Sequence, residues 1–506
     1  KIEARGNAYL KSAGTAEATA PDMDFLFAEA NQIERVLGTG GVRMVSLGDA
    51  PRRTVTGDRV EMDMAPGEKG SELRQARVDG QAVVLVDAPP ATAARPNPAA
   101  RELRADAVTL DLHQGGQFAS AVDARGNAVL VVTPTKAEAG ADRKRVAASH
   151  MRMDFFETGN LAREFAADGG VKVDLEPTAA DGRLARTTTS ATARADFDRE
   201  SQDVARLEQD GEFKYVEGER NATSARAVYT AADDTTALRG ASSNGRPTVW
   251  DTKARTQADE IDIRAMAGTS VGRGDVRTTY YSPEAAGNAT PFGRTKSPVF
   301  LTAERLEARQ DNGGVAVYTG QVRAWQDDNY VRGDRITLYN ADRRMQVEGK
   351  VESGLYQVER KDDKGNATLV PVFTTAERMA YTDAERKVHY EGGVVSRQTP
   401  DEMRSDAQDV WLTQGEQATI ERMIATGSVV LTEPGRTARG ERLVYTGSDR
   451  KAVLTGANAR VEDAEQGSTT GEELTFYLGG ERIRVAGRQG AGRVKSTHRV
   501  GGGNER

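Results

Sequence analysis

The 506 residues contain no cysteine, which excludes a disulfide framework and any thiolate metal site. Tryptophan occurs only three times and aromatic residues together make up 6%, lean for a globule built around one thick core. No apolar run reaches the roughly 18 residues that a membrane-crossing helix needs, and no stretch of convincing helical periodicity stands out. The four histidines, His113, His150, His389 and His498, are scattered without metal-ligand spacing. No phosphate-cradling loop of the Walker type is present; Gly38-Thr-Gly-Gly41 and Gly272-Arg-Gly274 are glycine-rich but have no helix after them. An excess of cations is also missing. Lys and Arg number 69 against 76 Asp and Glu, a net charge of -7, which argues against a nucleic-acid partner, whose phosphates call for positive charge. No cluster of acids or histidines stands apart from the general pattern, so the sequence predicts neither a catalytic centre nor a cofactor.

Glycine, by contrast, is plentiful, at 52 residues, and it is periodic. Equivalent positions are Gly6, Gly41, Gly80, Gly126, Gly170, Gly211, Gly240, Gly274, Gly320, Gly349, Gly393, Gly427, Gly456 and Gly487, with gaps of 29 to 46 residues, in the range of repeat architectures. Between them apolar residues alternate with polar ones: Val60, Met62 and Met64; Val108, Leu110 and Leu112; Met151, Met153 and Phe155; Ile336 and Leu338; Leu474 and Phe476. Period two is the signature of a strand with one face buried and one face wet. The segment Met23-Asp-Phe-Leu-Phe-Ala28, next to Pro21, reads as a strand as well. Stacked strands that each offer apolar side chains to one interior make a continuous seam rather than a round core. The periodic glycine then marks a bend or bulge at which a strand passes from one sheet to the other.

The repeating unit is clearest in the second half. Gly440-Glu-Arg-Leu-Val-Tyr445 leads through Ala452-Val-Leu-Thr-Gly456, and Ala303-Glu-Arg-Leu-Glu-Ala308 leads through Val315 to Gly320. A small residue, an acid, Arg, an apolar residue and an aromatic one, then an apolar pair and Gly-x-Val, resembles the OstA-like repeat of the LptA family, found also in LptC and in the soluble part of LptD. The resemblance extends over nearly the whole chain and is weak around residues 90–105, 135–146 and 241–257. It implies an all-β fold, an elongated open β-jellyroll of stacked antiparallel strands built from tandem repeats. It divides the chain into N-terminal repeats over 1–185, similar to LptC, middle repeats over 186–297, C-terminal repeats similar to LptA over 298–495, and a flexible tail over 496–506. The chain is longer than a typical LptA and lacks the terminal barrel strands of LptD.

The function that the resemblance implies is a periplasmic bridge that carries lipopolysaccharide from the inner to the outer membrane. Its lipid A acyl chains would lie in a hydrophobic groove, each buried methylene contributing about 0.8 kcal/mol. The expected groove residues are Met62, Met64, Leu110, Leu112, Met151, Met153, Phe155, Ile261, Ile263, Leu306, Ile336, Leu338, Met379, Tyr381, Leu443 and Phe476. The expected partners are an inner-membrane ABC transporter of the LptB/LptF/LptG type with its LptC-like jellyroll, and the outer-membrane LptD. The chain opens at Lys1 in a strand-like segment, which suggests an upstream segment that could tether it to the inner membrane. The alternative that the residues leave open is a structural or adhesive β-solenoid whose same apolar residues form a closed core without a lipid.

Overall fold

The structure, a computed structural model, describes residues 1–12, 16–28, 32–46, 51–67, 70–281, 291–292, 297–355, 359–361, 367–413, 419–449, 451–465, 467–477, 483–486 and 495–497. Gly487 and nearly all of the expected tail fall outside them. Contacts divide the chain into two compact units, Lys1–Asp251 with Glu260–Met266, and Thr252–Asp259 with Ala267–Arg506. Both are all-β. The only helical turns among the described residues are the 3-10 turns Ala231–Asp233 and Asp311–Gly313, and no helix is long and apolar enough to cross a membrane.

Within each unit, strands consecutive in sequence pair antiparallel. In the N-terminal unit Ile2–Ser12, Ala16–Phe27, Ile33–Ser46, Arg53–Gly67, Gly70–Val86 and Ala99–Leu112 follow one another. Next come Ala119–Pro134, Asp142–Phe155, Ala162–Pro177, Arg186–Phe197, Val204–Glu217 and Arg220–Thr230. The segment at Met23 is thus a strand, and Pro21 sits inside it. The C-terminal unit repeats the scheme from Thr269–Tyr280 to Gly467–Tyr477.

Nearly every strand is bent once, and the glycines mark the bend. Of the fourteen periodic positions, twelve have positive φ; Gly456 keeps the register shift without it. At Gly126 (φ 75°) and the following Asn127 (φ 48°) the ladder slips between Arg104 and Ala107 and again between Arg125 and Ala128. Glycine is needed there for two reasons. The left-handed backbone penalises a Cβ, and a Cβ would stand 2.2 Å from Asp106 Oδ2 on the adjoining strand. Gly427 (φ 72°) and Asp406 repeat the arrangement in the C-terminal unit, again with 2.2 Å from the would-be Cβ to Oδ2. The acid of the sequence motif is therefore a corner residue: it packs over the glycine of the next strand.

Each bent strand contributes to two walls. In Ala99–Leu112, residues before the corner at Ala105-Asp106 belong to a first wall and those after it to a second. In Ala119–Pro134 the order is reversed. The outer faces carry cross-strand ion pairs such as Arg35–Asp63 (2.7 Å) and Arg226–Glu208 (2.5 Å), each worth under about 1 kcal/mol in solvent. The inner faces carry the apolar seam.

Candidate functional site

In the N-terminal unit the register aligns the inner side chains into rows that run across the strands. Closest to the corners, the second wall carries Val60, Val78, Val108, Ala124, Met151 and Ala167, and the first wall carries Ala82, Ala105, Ala128, Ala148 and Val171. All are buried. One step further out the second wall presents Phe25, Val36, Met62, Ala76, Leu110, Val122, Met153 and Phe165. The first wall presents Met44, Val55, Val84, Leu103, Leu130, Val146 and Val173 at the same rank. These are larger residues, and most stay half-buried: Phe25, Met62, Leu110, Val122 and Met153 on one side, and all seven of the first-wall row on the other. Inner side chains that keep part of their surface in water leave some space between the walls. A small cleft, with room for about one water molecule, lies between Leu10, Ala18 and Met44 of the first wall and Met23, Val36, Val60 and Met62 of the second.

The C-terminal unit uses the same rows differently. Nearest its corners the second wall runs Leu306, Tyr318, Ile336, Val347, Met379, Tyr390, Gln408, Ala425, Leu443, Leu454 and Leu474. Every member is buried. Most of the next row, including Leu338, Met345, Tyr381, Val388 and Phe476, is buried as well. The facing wall supplies small polar residues, and hydrogen bonds cross from wall to wall: Ser353 Oγ to Tyr390 Oη at 2.7 Å, and Ser396 Oγ donating to Gln408 Oε1 at 2.7 Å. Tyr280 and Tyr318 share a further bond at 2.8 Å. Burial pushes the Tyr390 phenol up to about 12, so it remains a neutral partner across the physiological range. Partnered polar groups in a dry interior hold the two walls together.

All sixteen residues expected to line a groove point inward, and all lie on the second wall. Met62, Leu110 and Met153 stand in its half-buried row, Met64, Leu112 and Phe155 at its outer lip, and Met151 next to the corners. Ile261 and Ile263 continue the same wall through Leu238 and Thr236. Leu306, Ile336, Leu338, Met379, Tyr381, Leu443 and Phe476 belong to the buried rows of the C-terminal unit. Reading the motif misses the facing wall, whose large residues include Leu103, Leu130 and Val146. Their signal is weaker: apolar residues three positions before the polar corner residue, as Leu103 before Asp106, or four after a corner glycine, as Leu130 after Gly126.

Among the described residues no group of three or more metal-ligating side chains converges. The three tryptophans are not arranged as a platform. Trp325 stacks on Phe300 at 5.4 Å and Trp411 lies under Lys387 and Arg422, packing on the strand faces.

Comparison with known proteins adds a family match over part of the chain. Among solved structures the chain is similar to the crystal structure of LptH from Pseudomonas aeruginosa, described as the LptA homologous periplasmic component of the conserved lipopolysaccharide transport device. Identity is 17%, over 29% of this chain and 95% of that one, with a TM-score of 0.21. No curated protein matches. Residues 373–481 match the model of the family described as LptA/(LptD N-terminal domain) LPS transport protein, so the resemblance carried by the repeats is shown in that stretch of the C-terminal unit to be one to the lipopolysaccharide-transport family.

Proposed function

We propose that the chain is a periplasmic lipopolysaccharide carrier whose N-terminal unit takes up the acyl chains between its two walls. The observation that carries the reading is the pair of facing, half-buried apolar rows, Met62, Leu110, Val122 and Met153 against Val84, Leu103, Leu130 and Val146. Chains laid between them remove the remaining apolar surface from water, at about 25 cal/mol per Å². Rows of similar residues at every strand offer near-equal sites, so a lipid can advance along the stack without a high barrier. Met, with its adaptable shape, suits such a surface.

Directionality would come from partners. The first strand, Ile2–Ser12, pairs on one side with Ala16–Phe27, has no second strand partner among the described residues, and exposes Ile2 and Tyr9. An unpaired edge of this kind suits strand addition by another jellyroll. In this reading the N-terminal edge receives lipid from the jellyroll of an inner-membrane ABC transporter, and the C-terminal strands hand it on toward outer-membrane LptD. A membrane tether upstream of Lys1 is part of the same proposal.

The test is photo-crosslinking in a lipopolysaccharide-producing Gram-negative host. A photoreactive residue at Leu103 or Met153 is expected to capture lipopolysaccharide, and one at outward-facing Arg152 is not. Absence of any lipid adduct at both inner positions overturns the proposal.

A further inference from the structure

The two lips of the N-terminal groove differ in chemistry. At the third rank from the corners the second wall carries Met64, Leu112, Phe155 and Phe197, all half-buried. At the third rank of the first wall the register places Arg53 opposite Val86, Val86 opposite Arg101, Arg101 opposite Val132, Val132 opposite Lys144, Lys144 opposite Leu175, and Leu175 opposite Arg186. Directly opposed residues share a face of the sheet, and all of these but Arg186 stand two positions from a member of the row Val55, Val84, Leu103, Leu130, Val146, Val173. The cations thus lie on the inner face, alternating strictly with aliphatic residues across the strands.

These cations differ from those of the outer faces, which are mostly paired with acids. Among the described residues Arg53, Arg101 and the exposed Lys144 have no carboxylate partner, and Asp142, one rank further out, is occupied by Arg183 and Arg186 at 2.8 and 2.6 Å. Arg53 and Arg101 are half-buried. Burial holds both guanidinium groups below the ordinary arginine value, and at Arg101 the neighbouring Arg95 adds to it. Unpaired, partly desolvated arginines are costly to keep on an inner face and favour an oxyanion that can take up their donors in pairs. Successive cations are two strands apart, roughly 10 Å, with an aliphatic side chain between them.

We propose that this lip is a head-group rail: Arg53, Arg101 and Lys144 bind the phosphate oxyanions of an amphiphile whose chains lie in the apolar rows below. The inference rests on the lipid-carrier reading and adds to it a polarity, with the anionic head held at the first wall and the apolar lip of the second wall facing chain. Alternation of cation and aliphatic side chain lets the head group step from one cation to the next while its chains remain buried.

The full chain is titrated, below the micelle concentration, with dodecyl phosphate, with dodecyl maltoside as the neutral chain, and with inorganic phosphate. The expected result is dodecyl phosphate bound at least tenfold more tightly than the maltoside, about 1.4 kcal/mol, with inorganic phosphate far weaker. The variant Arg53→Gln/Arg101→Gln/Lys144→Gln should lose that preference while keeping its maltoside affinity. Arg53→Lys/Arg101→Lys should retain most of it, and outward-facing Arg104→Gln all of it. In the wild type the preference should shrink as salt is raised from 0.05 to about 0.5 M, a readout that does not depend on any variant folding. A preference that survives the triple substitution, or one insensitive to salt, overturns the rail. Inorganic phosphate binding as tightly as dodecyl phosphate also overturns it, in favour of a free-anion site. Equal binding of both amphiphiles removes the rail and leaves the carrier; binding of neither removes both.

Discussion

The two units are built on one plan and end in different interiors. In the C-terminal unit Ile336, Leu338, Met345, Tyr381, Leu443 and Phe476 lose essentially all exposure, and Ser353–Tyr390 and Ser396–Gln408 tie wall to wall. In the N-terminal unit the residues closest to the corners are equally buried but small, mainly Ala and Val, and the larger Met62, Leu103, Leu110, Leu130 and Met153 one rank out are only partly buried. The corner geometry is the same in both. What closes an interior is the size of the side chains it receives: tyrosines and leucines fill the space between the walls, whereas alanines bring the corners close and leave the arms apart. The match to the transport family lies in the closed unit, at 373–481, while the open rows lie in the other. A carrier that uses both would load in the first and would have to part the walls of the second.

The sharpest way to break this comparison is truncation at matched positions. Leu338→Ala removes a buried side chain from a filled interior and should cost about 2–5 kcal/mol. Met153→Ala removes a half-buried one next to open space and should cost about 1 kcal/mol. Denaturant unfolding, followed separately in the two units, measures both; equal losses would mean that the N-terminal walls are closed in solution. The corners offer the complementary test, because there the units should agree. Gly126→Ala and Gly427→Ala both place a Cβ on left-handed backbone against an aspartate and should each cost about 1–2 kcal/mol, read from the same unfolding curves.

Much of this architecture is legible in the sequence. Alternation around Met62, Leu110 and Ile336 announces strands, and the periodic glycines announce the corners, because a Cβ is excluded there by φ and by the facing acid. The second wall is legible too, since the motif places its apolar residues immediately after the acid of the corner. The first wall is not, because Leu103 and Leu130 carry no motif of their own. The difference between the interiors is hidden for a further reason. Met153 and Tyr381 occupy like places in the repeat, and only the facing wall, many residues away, decides whether each is covered. The cationic lip is equally silent: Arg53, Arg101 and Lys144 look like ordinary surface charges until the register puts them on the inner face of one row.

A smaller effect tests the tie between the walls. Tyr390→Phe removes the hydroxyl that meets Ser353 and leaves a buried serine short of a partner, which should cost about 1–2 kcal/mol. The loss should come with faster hydrogen exchange in the C-terminal unit alone. Unchanged exchange would show that packing of the rings, without the hydrogen bond, holds the walls together.

The smallest expected effect belongs to the outer face of the N-terminal unit. His150 lies between Asp123 and Asp168, at 2.9 Å from each, and its pKa is raised, first by the hydrogen bond to Asp123 and next by that to Asp168, against partial desolvation. A raised folded-state value means that the imidazolium stabilises the fold fully below the unfolded histidine value of about 6.5, and that this contribution is lost as pH rises through the higher folded value. Arg125 also donates to Asp123, at 2.6 Å, so the carboxylate keeps one cation when the histidine is neutral. The site is partly solvent-exposed and ion pairs there are screened, so the contribution should stay under about 1 kcal/mol. His150→Gln should therefore be less stable than the wild type at pH 5.5, with the gap narrowing by pH 8.5. A gap that widens with pH would mean that the neutral imidazole, not the imidazolium, is what the two aspartates hold.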